Sequence, residues 1–262
     1  MSIESLNAFS MDFFSLKGKT AIVTGGNSGL GQAFAMALAK AGANIFIPSF
    51  VKDNGETKEM IEKQGVEVDF MQVDITAKGA PQKIIAACCE RFGTVDILVN
   101  NAGTIRRADA LEFSEKDWDE VIDLNLKSVF FLSQAVAKQF IAQGQGGKII
   151  NIASMLSFQG GIRVPSYTAS KSGVLGLTRL LANEWATLGI NVNAIAPGYM
   201  ATNNTRQLRD DEQRSQAILD RIPAGRWGLP EDLQGPVVFL ASSASDYVNG
   251  HTLAVDGGWL AR

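Results

Sequence analysis

Histidine is almost missing from this chain of 262 residues, His251 being the single one. A His-based nucleophilic triad is excluded unless that residue joins it, and no group of side chains has metal-ligand spacing. Its place near the C-terminus reads as structural or interfacial. Cysteine is nearly as scarce. Cys88 and Cys89 are adjacent in a predicted helix, so they suit neither an ordinary bridge nor a metal site and read as reduced core thiols. A basic run is also lacking, because 24 Lys and Arg are scattered among 27 Asp and Glu for a net charge of −3. That leaves no footprint for nucleic acid, and any anionic ligand has to be attracted locally. Long apolar runs are absent, and the opening "MSIESLNAFSMDFF" carries Glu4 and Asp12 without a basic start. Neither a membrane span nor a secretory signal is expected, the location follows as cytoplasmic, and residues 1–15 read as an N-terminal arm or flap.

What is present is an alternation. Short β-branched runs, "TAIVT" (20–24), "NIFI" (44–47), "VDFMQV" (68–73), "VDILV" (95–99), "GKIINI" (147–152) and "INVNAIA" (190–196), are separated by longer helical patterns. These are repeated βαβ units, and their runs are apolar at consecutive positions, as parallel strands covered on both faces require. The expectation is one α/β domain over 16–262, a doubly wound sheet with its ligands at the carboxyl ends of the strands. One stretch breaks the rhythm: residues 199–228 are polar, with "ATNNTRQLRDDEQR" before Pro223, Gly225 and Gly228, and read as a lid over a substrate.

"TGGNSGLG" (24–31) lies between the first strand and a helix. Gly25 allows the sharp turn, Gly29 lets main chain approach a pyrophosphate, Gly31 permits close helix packing, and the helix N-terminus favours the anion. "VNNAG" (99–103) places small residues where a ribose and ring lie against a strand end, and its Asn side chains can tie strands together. Asp74 ends the third strand, either accepting from an adenine amino group or capping the next helix.

In "SYTASK" (166–171), Tyr167 and Lys171 are four apart and share a helix face, while Ser154 ends the fifth strand thirteen residues earlier. A phenol has a pKa near 10, so a base at neutral pH needs a fall of up to about three units, on the order of 4 kcal/mol. An ammonium one turn away has the right sign. Ser154 can hydrogen-bond a reacting oxygen, and Asn125 is polar within the apolar stretch "VIDLNLKSVFF".

Through "TGGNSGLG", "NNAG", Asn125, Ser154, "YTASK" and "APG" (196–198), residues 16–262 resemble the short-chain dehydrogenases/reductases. The resemblance implies a single-domain Rossmann-like three-layer sandwich with a seven-stranded parallel sheet, and hydride transfer with a nicotinamide cofactor. It implies Tyr167 as acid/base, Lys171 on the ribose hydroxyls and lowering the tyrosine pKa, Ser154 orienting substrate, and Asn125 anchoring a relay water. Cofactor contacts are implied for Gly25, Asn27, Ser28, Gly29, Leu30 and Gly31 in the turn, and for Ser49 and Phe50. They are implied as well for Asp74 and Ile75, for Asn101, Ala102 and Gly103, for Tyr167 and Lys171, and for Pro197, Gly198 and Thr202. A homotetramer is the implied assembly, built on the helices that contain Asn125 and Tyr167.

Within that family the second half resembles the 2-dehydro-3-deoxy-D-gluconate 5-dehydrogenases, through "ASMLSFQGGIRVPSYTASKSG", "NAIAPGYMATNNT", "DRIPAGRWGLPEDL" and "AVDGGWLAR", as does "IRRADALEFSEKDWDEV". This implies interconversion of 2-dehydro-3-deoxy-D-gluconate and its 2,5-diketo form. A gluconate 5-dehydrogenase or other polyol dehydrogenase is the alternative, and a non-catalytic nucleotide sensor a remote one. Independently, Arg106 and Arg107 follow "NNAG" and Arg163 precedes Tyr167 by four, so guanidiniums suited to a carboxylate flank the expected cleft. Gln159, Asn203, Asn204 and Thr205 are candidates for sugar hydroxyls. At the cofactor's adenosine end Ser49 stands where NAD-preferring relatives carry Asp, and Lys52 sits two positions too late to meet a 2′-phosphate. NAD is expected for want of a phosphate partner, with NADP not excluded.

Overall fold

The computed structural model describes residues 9–262, so residues 1–8 of the expected arm lie outside the described residues. The rest of that arm holds a short 3-10 turn, Met11–Phe14, and Ser243 donates to the Phe13 carbonyl at 3.1 Å, pinning it to the body. Seven parallel strands form one sheet in the order β3-β2-β1-β4-β5-β6-β7. They are β1 (Thr20–Val23), β2 (Asn44–Ser49), β3 (Val68–Gln72), β4 (Ile97–Asn100), β5 (Gly147–Ile152), β6 (Ile190–Pro197) and β7 (Thr252–Val255). The first six coincide with the β-branched runs. β7 is a half-buried edge strand of four residues and lies outside those runs.

Consecutive residues of the inner strands feed opposite cores. Ile45, Ile47, Val99 and Ile150 join one apolar cluster with Phe34 and Leu38 of α1 (Gly29–Lys40). Phe46, Leu98 and Ile149 join the other, against Ile84 of α3 (Ala80–Phe92), Leu132 and Phe140 of α5 (Ser128–Gln143) and Leu181 of α6 (Pro165–Trp185). The short helix α2 (Glu56–Glu62) follows β2, and α4 (Glu115–Ile122) precedes α5. Each fully buried aliphatic or aromatic side chain contributes roughly 1.5–3 kcal/mol, so both faces of the sheet have to be covered, and the three-layer sandwich follows. Cys88 is buried in the second core, where desolvation raises its thiol pKa; both cysteines are free.

A polar ladder crosses this core. Asn100 donates to Ser133 at 3.0 Å and to Asn151, its partner across the β4–β5 pair, at 2.8 Å. Asn151 donates to Thr178 of α6 at 3.0 Å, and Thr178 to the Val174 carbonyl at 2.8 Å. All four side chains are buried, so each bond fixes the strand ends that carry the site against the helix behind them. Truncating Asn151 to Ala takes one partner from each of Asn100 and Thr178, leaving them only Ser133 and the Val174 carbonyl. A destabilisation of roughly 1–3 kcal/mol is expected in urea unfolding, and a cost near zero would mean the ladder does not brace the sheet.

Candidate active site

The sheet changes winding direction between β1 and β4, and the loops after those strands part to leave a crevice. Thr24 and Asn101 hold its two lips. The Thr24 hydroxyl accepts from the main-chain N–H of Asn101 at 3.0 Å and of Ala102 at 2.9 Å, while the Asn101 carboxamide donates to the Thr24 carbonyl at 2.9 Å. The turn between β1 and α1 is set by its glycines. Gly25 and Gly29 have φ of 63° and 53°, and a Cβ on Gly31 would lie 2.2 Å from the Gly25 carbonyl oxygen and 2.5 Å from Asn101 Nδ2. Around Gly29 nothing lies within 4 Å of such a Cβ, so the start of α1 is open to the crevice. A main chain that close to open space at a helix N-terminus fits a pyrophosphate, and a cleft of about 1540 Å³ has room for a dinucleotide beside a small substrate.

The cleft runs from Asn27, Ser49, Phe50, Asp74 and Ile75 past Asn101, Ala102 and Gly103 to Ser154, Tyr167 and Lys171, with Pro197, Gly198, Thr202 and Asn203 along the far wall. Ser154 lies two residues past β5 with extended backbone and caps a 3-10 turn, its hydroxyl accepting from Leu156 N–H at 3.1 Å. Ser157 in that turn donates to the Lys171 carbonyl at 2.7 Å, which fixes the serine turn against α6. Pro165 starts α6, so Tyr167 and Lys171 lie in its first two turns. Lys171 Nζ donates to the Ile152 carbonyl at 2.6 Å and lies 5.7 Å from the centre of the Tyr167 ring. Burial brings the lysine pKa down to about 8. Burial also raises the Tyr167 phenol, opposed by the hydrogen bond from Ser154 and the charge of Arg107.

Asn125 is fully buried in a π turn, Asp123–Lys127, between α4 and α5. Its carboxamide is occupied by protein: Oδ1 accepts from Thr104 N–H at 2.8 Å, and Nδ2 donates to the Thr104 carbonyl at 2.9 Å and to Ser170 Oγ at 3.3 Å. The side chain thus holds the 104 loop against α6.

The three arginines separate. Arg106 reaches Glu120 at 2.8 Å and Asp117 at 3.6 Å, so its charge is already matched although it faces the cleft. Arg163 corrects the sequence expectation: it pairs with Asp109 at 3.2 Å and lies outside the cleft, its φ of 64° turning the chain away. Gln159 is likewise outside, accepting from Arg221 at 3.2 Å. Arg107 lines the same cleft as Tyr167, its charge favours the phenolate, and it donates to the Asn204 carbonyl at 3.3 Å. Asp74 caps no helix: its Oδ1 accepts from Thr76 N–H at 2.9 Å and Oγ1 at 2.7 Å within a tight turn, and the N-cap of α3 is Gly79.

At the adenosine end, Ser49 donates toward Asn27 Oδ1 and the Val51 carbonyl, both at 2.9 Å. Lys52 and Asp53 lie on the cleft wall, so the count that put Lys52 out of range is corrected: the loop after β2 curls back over the crevice. Tyr199 and Thr104 also line the cleft and carry no sequence motif of their own. Among the described residues no helix is long and apolar enough to cross a membrane, and no three His, Cys, Asp or Glu gather as a metal site. His251 donates its main-chain N–H to Asn193 Oδ1 at 3.0 Å, beside β6.

Residues 25–260 match a family described as enoyl-(acyl carrier protein) reductase. The chain is 68% identical, over 262 residues and the whole of both proteins, to the uncharacterized oxidoreductase YgcW of Escherichia coli (strain K12). It is also 68% identical over 254 residues to the 2-dehydro-3-deoxy-D-gluconate 5-dehydrogenase of the same strain, covering 95% of this chain and 98% of that one. A crystal structure of a candidate 2-deoxy-D-gluconate 3-dehydrogenase from Agrobacterium tumefaciens with bound NADP is 58% identical, with a TM-score of 0.89 over 95% of this chain and 99% of that one.

The buried Lys171 gives a pH signature. Its pKa falls from 10.5 in the unfolded chain to about 8 in the fold. Below pH 8 both states hold the proton and the folded state bears the cost of the buried charge. Above it the unfolded chain binds more protons, so stability rises with pH until about 10.5. Relative to Lys171→Met, wild type is expected to gain on the order of 3 kcal/mol across that window. Urea titrations near pH 7 and pH 10 check it.

Proposed function

The chain belongs to the short-chain dehydrogenase/reductase family and is an NAD(P)-dependent dehydrogenase and ketone reductase; from that premise we propose that its substrate is a sugar acid, 2-dehydro-3-deoxy-D-gluconate, interconverted with 2,5-diketo-3-deoxy-D-gluconate. The observation that carries the proposal is a guanidinium with no carboxylate partner among the described residues, Arg107, which lines the same cleft as Ser154, Tyr167 and Lys171 and whose charge acts on the phenol. In a protein of net charge −3, that cation is what attracts and orients a carboxylate. The name of the relative from Escherichia coli points the same way.

The nicotinamide group, when bound, supplies or accepts the hydride. The protein's own residues handle the proton. With its pKa raised, the Tyr167 phenol is protonated at neutral pH and acts as the acid in ketone reduction, giving its proton to the carbonyl oxygen that becomes the hydroxyl. Ser154 donates to the same oxygen and then to the phenolate, and the Lys171 ammonium and Arg107 stabilise the negative charge left on the ring. The charge on Lys171 declines above pH 8, and with it that support. The reverse reaction needs the phenolate from the start, so it is favoured at alkaline pH.

NAD is the proposed preferred form. Ser49 offers a 2′-phosphate no charge and is already bonded to Asn27 and Val51, while Lys52 on the same wall relaxes the preference. Residues 199–228 act as the lid, reached by Arg107 through Asn204. A homotetramer belongs to the same proposal. It is supported by Trp118 on α4, Phe131 and Ile141 on α5 and Leu180 on α6, all exposed on the protomer.

Four measurements test this reading. Tyr167→Phe is expected to lower kcat by about 10²–10⁴-fold. Arg107→Ala is expected to raise KM for the sugar acid roughly 10- to 100-fold while leaving cofactor affinity alone; an unchanged KM would remove the carboxylate assignment. Reduction of 2,5-diketo-3-deoxy-D-gluconate should outpace that of 5-keto-D-gluconate, with the reverse order making the protein a gluconate 5-dehydrogenase. NADH should show the lower KM of the two cofactors.

A further inference from the structure

A small apolar cluster lies beneath residues 199–228, apart from the two cores of the sheet. Met155, Ile218, Ile222 and Trp259 form it, with Tyr199, Leu208, Trp227 and Leu260 packed against them. It joins the residue after Ser154 to the polar segment and to the C-terminal turn. The segment closes on itself at its neck, where Ala201 N–H donates to the Gly228 carbonyl at 2.7 Å and Gly228 N–H to the Tyr199 carbonyl at 2.9 Å. Tyr199, on the cleft wall, meets Trp227 and Trp259 edge to face, at 5.5 Å and 4.8 Å between ring centres.

One side chain ties these parts together from outside. Arg221 follows the helix α7 (Glu212–Leu219) and Asp220, and its guanidinium lies 4.0 Å over the Trp259 ring. Its Nη2 donates to Gln159 Oε1 at 3.2 Å, on the turn that follows Ser154. Arg262 then bonds back, donating to the Arg221 and Asp220 carbonyls at 3.2 Å and 2.7 Å. A planar guanidinium can stack on an indole and still present N–H groups in its plane, which an ammonium cannot do.

We propose that Arg221 is a positioning residue. By bridging Trp259 and Gln159 it seats the 199–228 segment over the Ser154 turn and sets how tightly the sugar acid is held, without acting on the adenosine end of the cleft. This rests on the reading of that segment as the substrate lid.

The test separates substrate from cofactor. Arg221→Lys and Arg221→Met should each raise KM for 2,5-diketo-3-deoxy-D-gluconate by about tenfold, because small displacements of a substrate wall are felt strongly in catalysis. The Kd for NADH, read from its fluorescence, should stay within about twofold of wild type by the same argument. Gln159→Arg should behave like the Arg221 variants, and the swap Arg221→Gln with Gln159→Arg should recover most of the loss. Equal KM values in wild type and both Arg221 variants overturn the proposal, as does a parallel loss of NADH affinity or a swap that restores nothing. If Arg221→Met does not fold, the Gln159→Arg variant and the swap still decide. Wild-type protein that ignores sugar acids refutes the substrate assignment instead, and the KM split is then read with whichever ketone it does reduce.

Discussion

The Thr24 hydroxyl stands between two strand ends, accepting the N–H groups of Asn101 and Ala102, and the cleft depends on that exchange. Parallel strands β1 and β4 are neighbours, yet the chain leaves them toward opposite faces of the sheet, so their following loops have nothing in common except this contact. The bonds hold the lips at a fixed separation and present glycine main chain on one side and small side chains on the other. Gly31 needs the absence of a side chain for a related reason, since a Cβ there would strike the Gly25 carbonyl and the Asn101 carboxamide that bonds Thr24.

Rigidity on the first side of the cleft is matched by tension on the other. Lys171 is an ammonium taken out of water, with one main-chain carbonyl at 2.6 Å as its recorded partner, and its depressed pKa measures what the fold gives up to keep it there. The polar ladder through Asn100, Asn151 and Thr178 compensates by fixing β4, β5 and α6 in one frame, so the serine, tyrosine and lysine they carry have little freedom to relax away from one another. A reactive arrangement that costs stability is supported by a buried network that specifies geometry.

Much of this was legible in the residues. Six of the seven strands announce themselves as β-branched and apolar runs, the inner ones because both faces are buried, while β3 at the sheet edge is half-buried and keeps Asp69 and Gln72. The glycine turn and the serine, tyrosine and lysine carry chemistry whose spacing is set by a helix or a strand end. The rest depends on partners that a linear pattern does not contain. Arg106, Arg107 and Arg163 look alike in sequence, and only the positions of Glu120, Asp117 and Asp109 divide a matched charge from an available one. Lys52 reaches the cleft because a loop curls back, and Gln159 leaves it because Arg221 holds it elsewhere. The carboxamide of Asn125 braces the Thr104 loop and meets Ser170, pairings that no linear pattern shows.

The π turn at Asp123–Lys127 has a geometric effect that reaches beyond the residue it buries. One extra residue in a helical path advances its phase by about 100°, so α4 and α5 form a single rod whose two halves face different directions. The first half shows Glu120 to the cleft and the second turns Leu132 and Val136 into the core. The segment therefore tolerates substitution better than changes of length. Losing or adding one residue there would rotate every side chain on one half of the rod, exchanging wall for core in a single genetic step.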